Sequence, residues 1–191
     1  MWLWGRAGTG KTHLLQAACA AASERGDASA YFDAGAGTSG AMLDGCDMLA
    51  LVCLDQLDAV AGDADWNAAI FRLYTLLQDT HGRLVVASTA PPQALQFSLP
   101  DLASRLRAAS VHQLAELEEQ GLCEALRLRA AGRGLELSEE AARYLLHRLP
   151  RDTHSLFEVL DQLDQASLAA QRRLTIPFLR QAIGASEGEG E

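Results

Sequence analysis

The chain alternates short apolar runs with longer stretches in which apolar residues recur every three or four positions. Short runs without polar alternation are typical of parallel strands that are buried on both faces. The longer stretches have the period of amphipathic helices, and strands alternating with helices predict an α/β layer built on a parallel sheet. The predicted strands are residues 2–4, 28–32, 48–54, 84–87 and 111–114.

Helices are predicted between these strands. A helix over 13–25 is rich in alanine and leucine and ends at Gly26, which suits a helix C-terminus. Another helix is expected to begin with Asp65 as its N-cap and to carry an apolar stripe at helical spacing. Residues 33–45 are rich in glycine, alanine and serine and are expected to form a mobile loop.

The pattern changes at about residue 116, after which only helical periodicity remains. We therefore predict an α/β domain at 1–115, an all-helical domain at 116–184 and a disordered acidic tail at 185–191. The helices predicted after residue 115 are 116–131, 138–149, 153–171 and 176–183.

Residues 5–12 read Gly-Arg-Ala-Gly-Thr-Gly-Lys-Thr, which is the spacing of a P-loop. In that motif the glycines let backbone N–H groups face phosphates, the lysine reaches the β- and γ-phosphates, and the threonine hydroxyl binds Mg²⁺. Lysine occurs once in this arginine-rich chain, at this position, where a thin ammonium stem suits the task. The predicted strand and helix around the motif are the context that supports it. We predict that ADP or ATP with Mg²⁺ binds through Gly5, Gly8, Thr9, Gly10, Lys11, Thr12 and His13.

Asp55 follows the long apolar strand, where a carboxylate would hold Mg²⁺ together with Thr12. The next residue is Gln56, an amide that can orient water but cannot accept its proton. Asp58 comes three residues after Asp55; the alternatives are that it approaches the site or, as we expect, that it faces solvent in the next turn. We therefore expect slow intrinsic hydrolysis of the bound nucleotide.

Composition and charge restrict the remaining classes of function. A formal net charge of −9 argues against a broad basic face that grips nucleic acid. The sequence shows neither a signal peptide nor a long apolar segment, so we expect a soluble, cytoplasmic protein that does not bind membranes. The four cysteines are far apart and are interpreted as buried thiols, and the five histidines lack metal-ligand spacing.

Three further segments carry a resemblance to a known family. They are Leu-Pro-Asp-Leu-Ala-Ser-Arg-Leu at 99–106, Leu-Asp-Gln-Leu-Asp at 160–164 and Ala-Gln-Arg-Arg-Leu-Thr-Ile-Pro-Phe at 170–178. From about residue 2 to residue 183, the chain resembles the Hda family of DnaA regulatory inactivators, in the DnaA branch of AAA+ proteins. The resemblance implies an AAA+ P-loop NTPase fold, with helices flanking a parallel sheet and a small all-helical lid domain.

The resemblance also implies roles for three residues beyond the P-loop. Arg105 matches an arginine finger, which supplies positive charge to a neighbour's phosphate, and Arg107 is the alternative position. Arg151 matches a lid arginine, called sensor 2, that reaches the nucleotide's phosphates. Thr89 lies at the sensor 1 position, where DnaA proteins tend to have an acidic residue. The ordinary alternatives are surface salt bridges for the arginines and a strand-end hydroxyl for Thr89.

As partners, the resemblance implies DnaA, whose ATP hydrolysis such proteins promote, and the DNA polymerase sliding clamp. The clamp-binding peptide of that family precedes the first strand, and we expect this sequence to lack it, because only Met1 stands there. No direct sequence-specific DNA binding is expected, and homo-oligomerisation stays open. The alternative functions are a self-contained AAA+ ATPase, such as a helicase loader or remodeller, and a nucleotide-dependent interaction module.

Overall fold

The computed structural model describes residues 1–148, 159 and 174–180. The chain divides into two compact units, Met1–Glu116 and Leu117–Glu191. Apart from residue 159, which is helical, the predicted helix at 153–171 lies outside the described residues, as do the predicted tail at 185–191 and Arg151.

The first unit contains a parallel sheet of five strands in the order β2-β3-β4-β1-β5. Every residue of β3 is buried, as expected for a central strand covered on both faces. Because the strands are parallel, their carboxyl ends share one edge of the sheet, where the P-loop also begins. The strands are β1 Trp2–Trp4, β2 Ser29–Asp33, β3 Leu51–Asp55, β4 Arg83–Ser88 and β5 Val111–Gln113. The α/β prediction and the five predicted strands are confirmed.

Helices pack on both faces of this sheet, and the alternation along each strand decides which face a side chain joins. One apolar cluster contains Trp2 and Leu54 together with Ile70 of the long helix after β3. A second cluster contains Leu3 and Cys53, the neighbours of those strand residues in the chain, with Leu15 of the P-loop helix. The helices of this unit are α1 Lys11–Glu24, α2 Leu57–Val60, α3 Ala64–Asp79 and α4 Pro100–Arg107.

The structure corrects three local predictions. The N-cap of α3 is Asp63, whose carboxylate accepts a hydrogen bond from the Trp66 amide, so Asp65 is not the cap. The third strand begins at Leu51, and the three residues that end at Met48 form a 3₁₀ helix instead. The expected loop at 33–45 contains short 3₁₀ helices at Ala34–Ala36 and Gly40–Leu43, where side chains of the preceding residues cap the turns.

The second unit is helical where it is described. It contains α5 Glu119–Ala131 and α6 Glu139–Arg148, and residues 176–180 are also helical. Leu126 and Leu145, from the facing sides of α5 and α6, are buried in one apolar cluster. Leu137 and Leu174 form a parallel bridge that joins the segment before α6 to the segment before residues 176–180.

The four cysteines in the described part of the chain are free thiols; Cys19 is half-buried and the other three are buried. Burial and the neighbouring Cys19 raise the pKa of the Cys53 thiol to about 12. Within residues 1–148 and 174–180, no cluster of histidine, cysteine and carboxylate side chains has a metal-binding arrangement. None of the helices described there has both the length and the apolar character required to cross a membrane.

A buried amide joins the end of α2 to the beginning of α4. Asn67 lies on α3 and is fully buried. Its Nδ2 donates to the carbonyl oxygens of Val60, Ala61 and Asp63, at 3.1, 2.9 and 2.6 Å. Its Oδ1 accepts from the amide of Leu99, the N-cap of α4, at 3.4 Å. One side chain therefore satisfies backbone groups that would otherwise be buried without partners.

Replacement of Asn67 by alanine is expected to lower the free energy of unfolding by about 1–3 kcal/mol, because it leaves buried carbonyl groups unpaired. Urea denaturation of the purified protein measures this change. The control is Gln78→Ala on the exposed side of the same helix, with an expected effect within about 0.5 kcal/mol. Equal losses in the two variants would contradict the role assigned to Asn67.

Candidate functional site

The P-loop connects β1 to α1 at the carboxyl edge of the sheet. Its first residue, Gly5, donates its amide to the carbonyl of Ser88 at 3.2 Å, which fixes the loop to the end of β4. A Cβ at Gly5 would lie 2.6 Å from the carbonyl oxygen of Leu114, so a larger residue would displace the loop. Gly8 and Gly10 have φ values of 79° and 87°, in the left-handed region that glycine adopts readily.

Lys11 lies beneath the loop that it follows and is only 8% exposed. Its Nζ donates to the carbonyl oxygens of Gly5 and Arg6, at 2.7 and 2.8 Å. Burial lowers the pKa of this ammonium group, and the charges of Asp55 and Asp58 oppose that shift. The loop therefore curls around a positive charge, as a phosphate-binding loop must.

The neighbouring P-loop residues complete the predicted cradle. Thr9 Oγ1 donates to the carbonyl of Arg6 at 2.9 Å, which closes the turn. The helix α1 begins at Lys11, and its N-cap Gly10 has no side chain to occupy the amide groups of the first turn. A helix N-terminus of this kind favours an anion. His13 follows on the first turn of α1 and is half-buried.

Asp55 at the end of β3 is 2% exposed and accepts three hydrogen bonds. They come from Thr12 Oγ1 at 2.6 Å, Tyr31 Oη at 3.1 Å and the Gln56 amide at 2.8 Å. The structure thus brings together the two residues predicted to bind Mg²⁺. A hydroxyl and a carboxylate are oxygen ligands of the kind that Mg²⁺ prefers, so Thr12 and Asp55 are suited to hold it. The ion would neutralise phosphate charge there.

Tyr31 was not predicted from the sequence as a site residue. It lies on β2, opposite Cys53 in the pairing of β2 with β3. Burial and the adjacent Asp55 carboxylate raise the pKa of its phenol, so Tyr31 donates a hydrogen bond at neutral pH. The sequence offers one signal for this contact, which is that Tyr31 stands near the end of a predicted strand.

Gln56 faces the end of β2. Its backbone is left-handed, with φ 54°. Its Nε2 donates to Asp33 Oδ1 at 2.8 Å, and the Gly35 amide donates to the same oxygen at 2.8 Å. The side-chain amide of Gln56 is therefore hydrogen-bonded to the end of the neighbouring strand β2.

Asp58 and Thr89 connect α2 to the end of β4, whereas Gln56 contacts the end of β2. The Thr89 amide donates to Asp58 Oδ1 at 2.7 Å, and Thr89 Oγ1 donates to Oδ2 at 3.1 Å. Asp58 is half-buried, and its hydrogen bonds with the exposed Thr89 lie at the surface. This contact depends on the tertiary arrangement of β3 and β4.

The two arginines near the end of α4 have different surroundings. Arg105 is half-buried, and its guanidinium lies 4.6 Å from the ring centre of Phe71 and 5.7 Å from that of Tyr74, both on α3. Its Nη1 donates to Thr75 Oγ1 at 3.4 Å. Arg107 instead donates to backbone carbonyl groups of the loop before α4. The structure therefore places Arg105 away from the contacts of the P-loop, against α3.

Comparison with known proteins gives matches to the second unit and to the chain as a whole. Residues 118–183 match the family described as the Hda lid domain. The AMPPCP-bound DnaA structure from Aquifex aeolicus is 25% identical with a TM-score of 0.65, and the match covers 82% of this chain and 52% of that chain. This chain thus spans about half the length of that relative.

Two other solved structures, both under 25% identical, show the fold alone. Domain III of the Thermotoga maritima DnaA protein is 18% identical with a TM-score of 0.75, over 97% of this chain and 83% of that chain. The Thermotoga maritima RuvB Holliday junction branch migration motor is 14% identical with a TM-score of 0.64, over 96% of this chain and 60% of that chain. Both likenesses confirm the AAA+ fold class.

Replacement of Lys11 by alanine is expected to weaken nucleotide affinity at least about tenfold, because the buried ammonium is the cation enclosed by the loop. Titration with a fluorescent ADP or ATP analogue measures the dissociation constant. The control is Arg25→Ala, which removes an exposed positive charge at the other end of α1. Wild-type affinity in the Lys11 variant would contradict the assigned site.

Proposed function

We propose that this Hda-like, DnaA-related AAA+ protein binds ADP or ATP with Mg²⁺ and promotes the hydrolysis of ATP bound to DnaA. In this proposal the protein's own nucleotide orders the domain, and Arg105 acts as an arginine finger in the partner's active site. The result is negative regulation of replication initiation. The lid-domain match and the likeness to AMPPCP-bound DnaA support the nucleotide and the partner.

The observation that carries this proposal is the geometry of Gln56. An amide cannot accept a proton from attacking water, and this amide also donates to Asp33 at the end of β2. The P-loop, Thr12 and Asp55 nevertheless have the arrangement needed to hold a nucleotide with its metal. A site that holds a nucleotide but is poorly equipped to hydrolyse it suits a protein whose ligand is structural.

Arg105 is suited to act outside its own chain. A guanidinium stacked on aromatic rings keeps its charge and loses little freedom when it meets a phosphate. Phe71 and Thr75 hold one side of it, while the half-exposed side chain leaves another side accessible. An arginine finger supplied in trans raises the hydrolysis rate of other NTPases by roughly 10³–10⁵-fold.

The remaining parts of the proposal rest on the family and on charge. Hda proteins work with the DNA-loaded sliding clamp, so we include the clamp as a partner. The net charge of −9 argues that this protein does not read DNA itself. Arg151, which the resemblance matches to a sensor 2 arginine, lies outside the described residues, and its contact with the nucleotide stays a prediction.

Purified protein is expected to hydrolyse Mg-ATP at well below about one turnover per second, the lower end of the range typical for enzymes. Steady-state phosphate release measures the rate. The Lys11→Ala variant, prepared in the same way, gives the background from contaminating ATPases. Wild-type turnover of several per second above that background would favour a self-contained ATPase over the proposed regulator.

Arg105→Ala is expected to abolish most of the stimulation of hydrolysis of the ATP bound to DnaA. The nucleotide affinity of the variant protein itself should stay at the wild-type level. The assay follows labelled ATP on DnaA in the presence of clamp and DNA. Arg105→Lys should also be strongly impaired, because lysine keeps the charge but lacks the planar fork. Arg83→Ala, an exposed arginine at the start of β4, is the control and should behave like wild type.

The two parts of the proposal fail in different ways. If wild-type protein does not accelerate hydrolysis on DnaA, the regulator function is wrong. If acceleration persists in Arg105→Ala, only the arginine-finger assignment is wrong.

A further inference from the structure

The two oxygens of the Asp55 carboxylate have unequal numbers of partners. Oδ2 accepts hydrogen bonds from Thr12 Oγ1 at 2.6 Å and from Tyr31 Oη at 3.1 Å, whereas Oδ1 accepts one from the Gln56 amide at 2.8 Å. An ionised carboxylate offers about four acceptor sites, two on each oxygen. Among the described residues, Thr12 and Tyr31 therefore occupy both sites of Oδ2, and one site is left on Oδ1.

Tyr31 approaches Asp55 from the neighbouring strand. It lies on β2, where it pairs with Cys53 of β3, two residues before Asp55. Its ring packs against the apolar cluster that contains Cys53 and Leu15, so the sheet and α1 hold its hydroxyl in place. The accepting carboxylate is only 2% exposed, so little water can compete for the site that Tyr31 occupies. Because the phenol is a neutral donor, it occupies Oδ2 without cancelling the charge of Asp55.

The number of free sites on a carboxylate affects which divalent cation it can hold. Mg²⁺ is small, demands near-octahedral geometry and keeps several of its waters. Ca²⁺ takes about six to eight oxygen ligands in flexible geometry and often uses both oxygens of one carboxylate. A carboxylate with a single free site can serve Mg²⁺ through one oxygen, but it cannot hold Ca²⁺ with both oxygens. To do so, Asp55 would have to lose the hydrogen bond from Thr12 or from Tyr31.

We propose that Tyr31 is a positioning residue of the metal site, which occupies Oδ2 of Asp55 and so makes the site selective for Mg²⁺ over Ca²⁺. This inference rests on the proposed nucleotide site. Tyr31 acts through Asp55, because its hydroxyl holds the carboxylate that would serve the ion. Outer-shell partners of this kind commonly orient metal ligands in proteins.

The test compares wild-type protein with Tyr31→Phe, which keeps the packed ring and removes only the hydroxyl. Isothermal titration calorimetry gives the dissociation constant of ADP with saturating Mg²⁺, with saturating Ca²⁺ and with EDTA. We expect wild type to bind ADP more tightly with Mg²⁺ than with Ca²⁺. In Tyr31→Phe the ratio of these two affinities should shift about tenfold toward Ca²⁺, the lower end of the effect of losing an outer-shell partner. The affinity in EDTA should stay at the wild-type level, because Tyr31 acts through Asp55.

Two further variants make the test specific. Tyr74→Phe removes the same hydroxyl at the opposite edge of the sheet, where Tyr74 lines a cavity with Leu51 and Arg83, the first residues of β3 and β4. This control should keep the wild-type ratio. Tyr31→Leu also lacks the hydroxyl but packs differently, and it should shift the ratio in the same direction as Tyr31→Phe. Thermal melting and the affinity in EDTA show whether each variant is folded with an intact nucleotide site.

A wild-type protein that binds ADP equally well with Mg²⁺ and with Ca²⁺ would overturn this inference and leave the proposed function standing. An equal loss of affinity with both ions in Tyr31→Phe would overturn it as well, because the hydroxyl would then only stabilise the site. Wild-type protein that binds no nucleotide under any of the three conditions would overturn the proposed function, and with it the role of Tyr31. The wild-type titrations thus separate the two failures.

Discussion

The buried carboxylate of Asp55 is the constraint on which the rest of the site depends. A charged group that is almost removed from solvent must be hydrogen-bonded, or its burial would cost several kcal/mol. Asp55 meets this requirement with donors from α1, from β2 and from its own following turn. These contacts hold the P-loop helix and the second strand against the end of β3, so one charge brings together the elements of the site.

Much of the α/β architecture was predictable because its signals are local. Continuous apolar runs indicate the buried strands, and the spacing from Gly5 to Thr12, between a predicted strand and a predicted helix, indicates a phosphate-binding loop. Asp55 was predictable for the same reason, since it ends the most apolar run. The N-cap of α3 was misassigned because Asp63 and Asp65 are chemically equal candidates, and only the backbone conformation decides between them.

The parts that escaped prediction are contacts between residues far apart in the chain. Tyr31 reaches Asp55 only because β2 pairs with β3 in one particular register. Asp58 meets Thr89 because β4 lies beside β3, and the sequence between them gives no sign of it. The chemistry of the Gln56 side chain was known from the sequence, but its contact with Asp33 was not. That contact depends on a left-handed backbone at Gln56, which the residue type does not indicate.

The side chain of Asn67 has a mechanical consequence. It binds the carbonyl of Val60, where α2 ends, and the amide of Leu99, where α4 begins. The helix that carries Asp58 and the helix that carries Arg105 are thus anchored to the same amide group. A displacement of α2 must either stretch these hydrogen bonds or carry α4 with it. The fold therefore contains a short mechanical linkage between the proposed nucleotide site and the half-exposed Arg105.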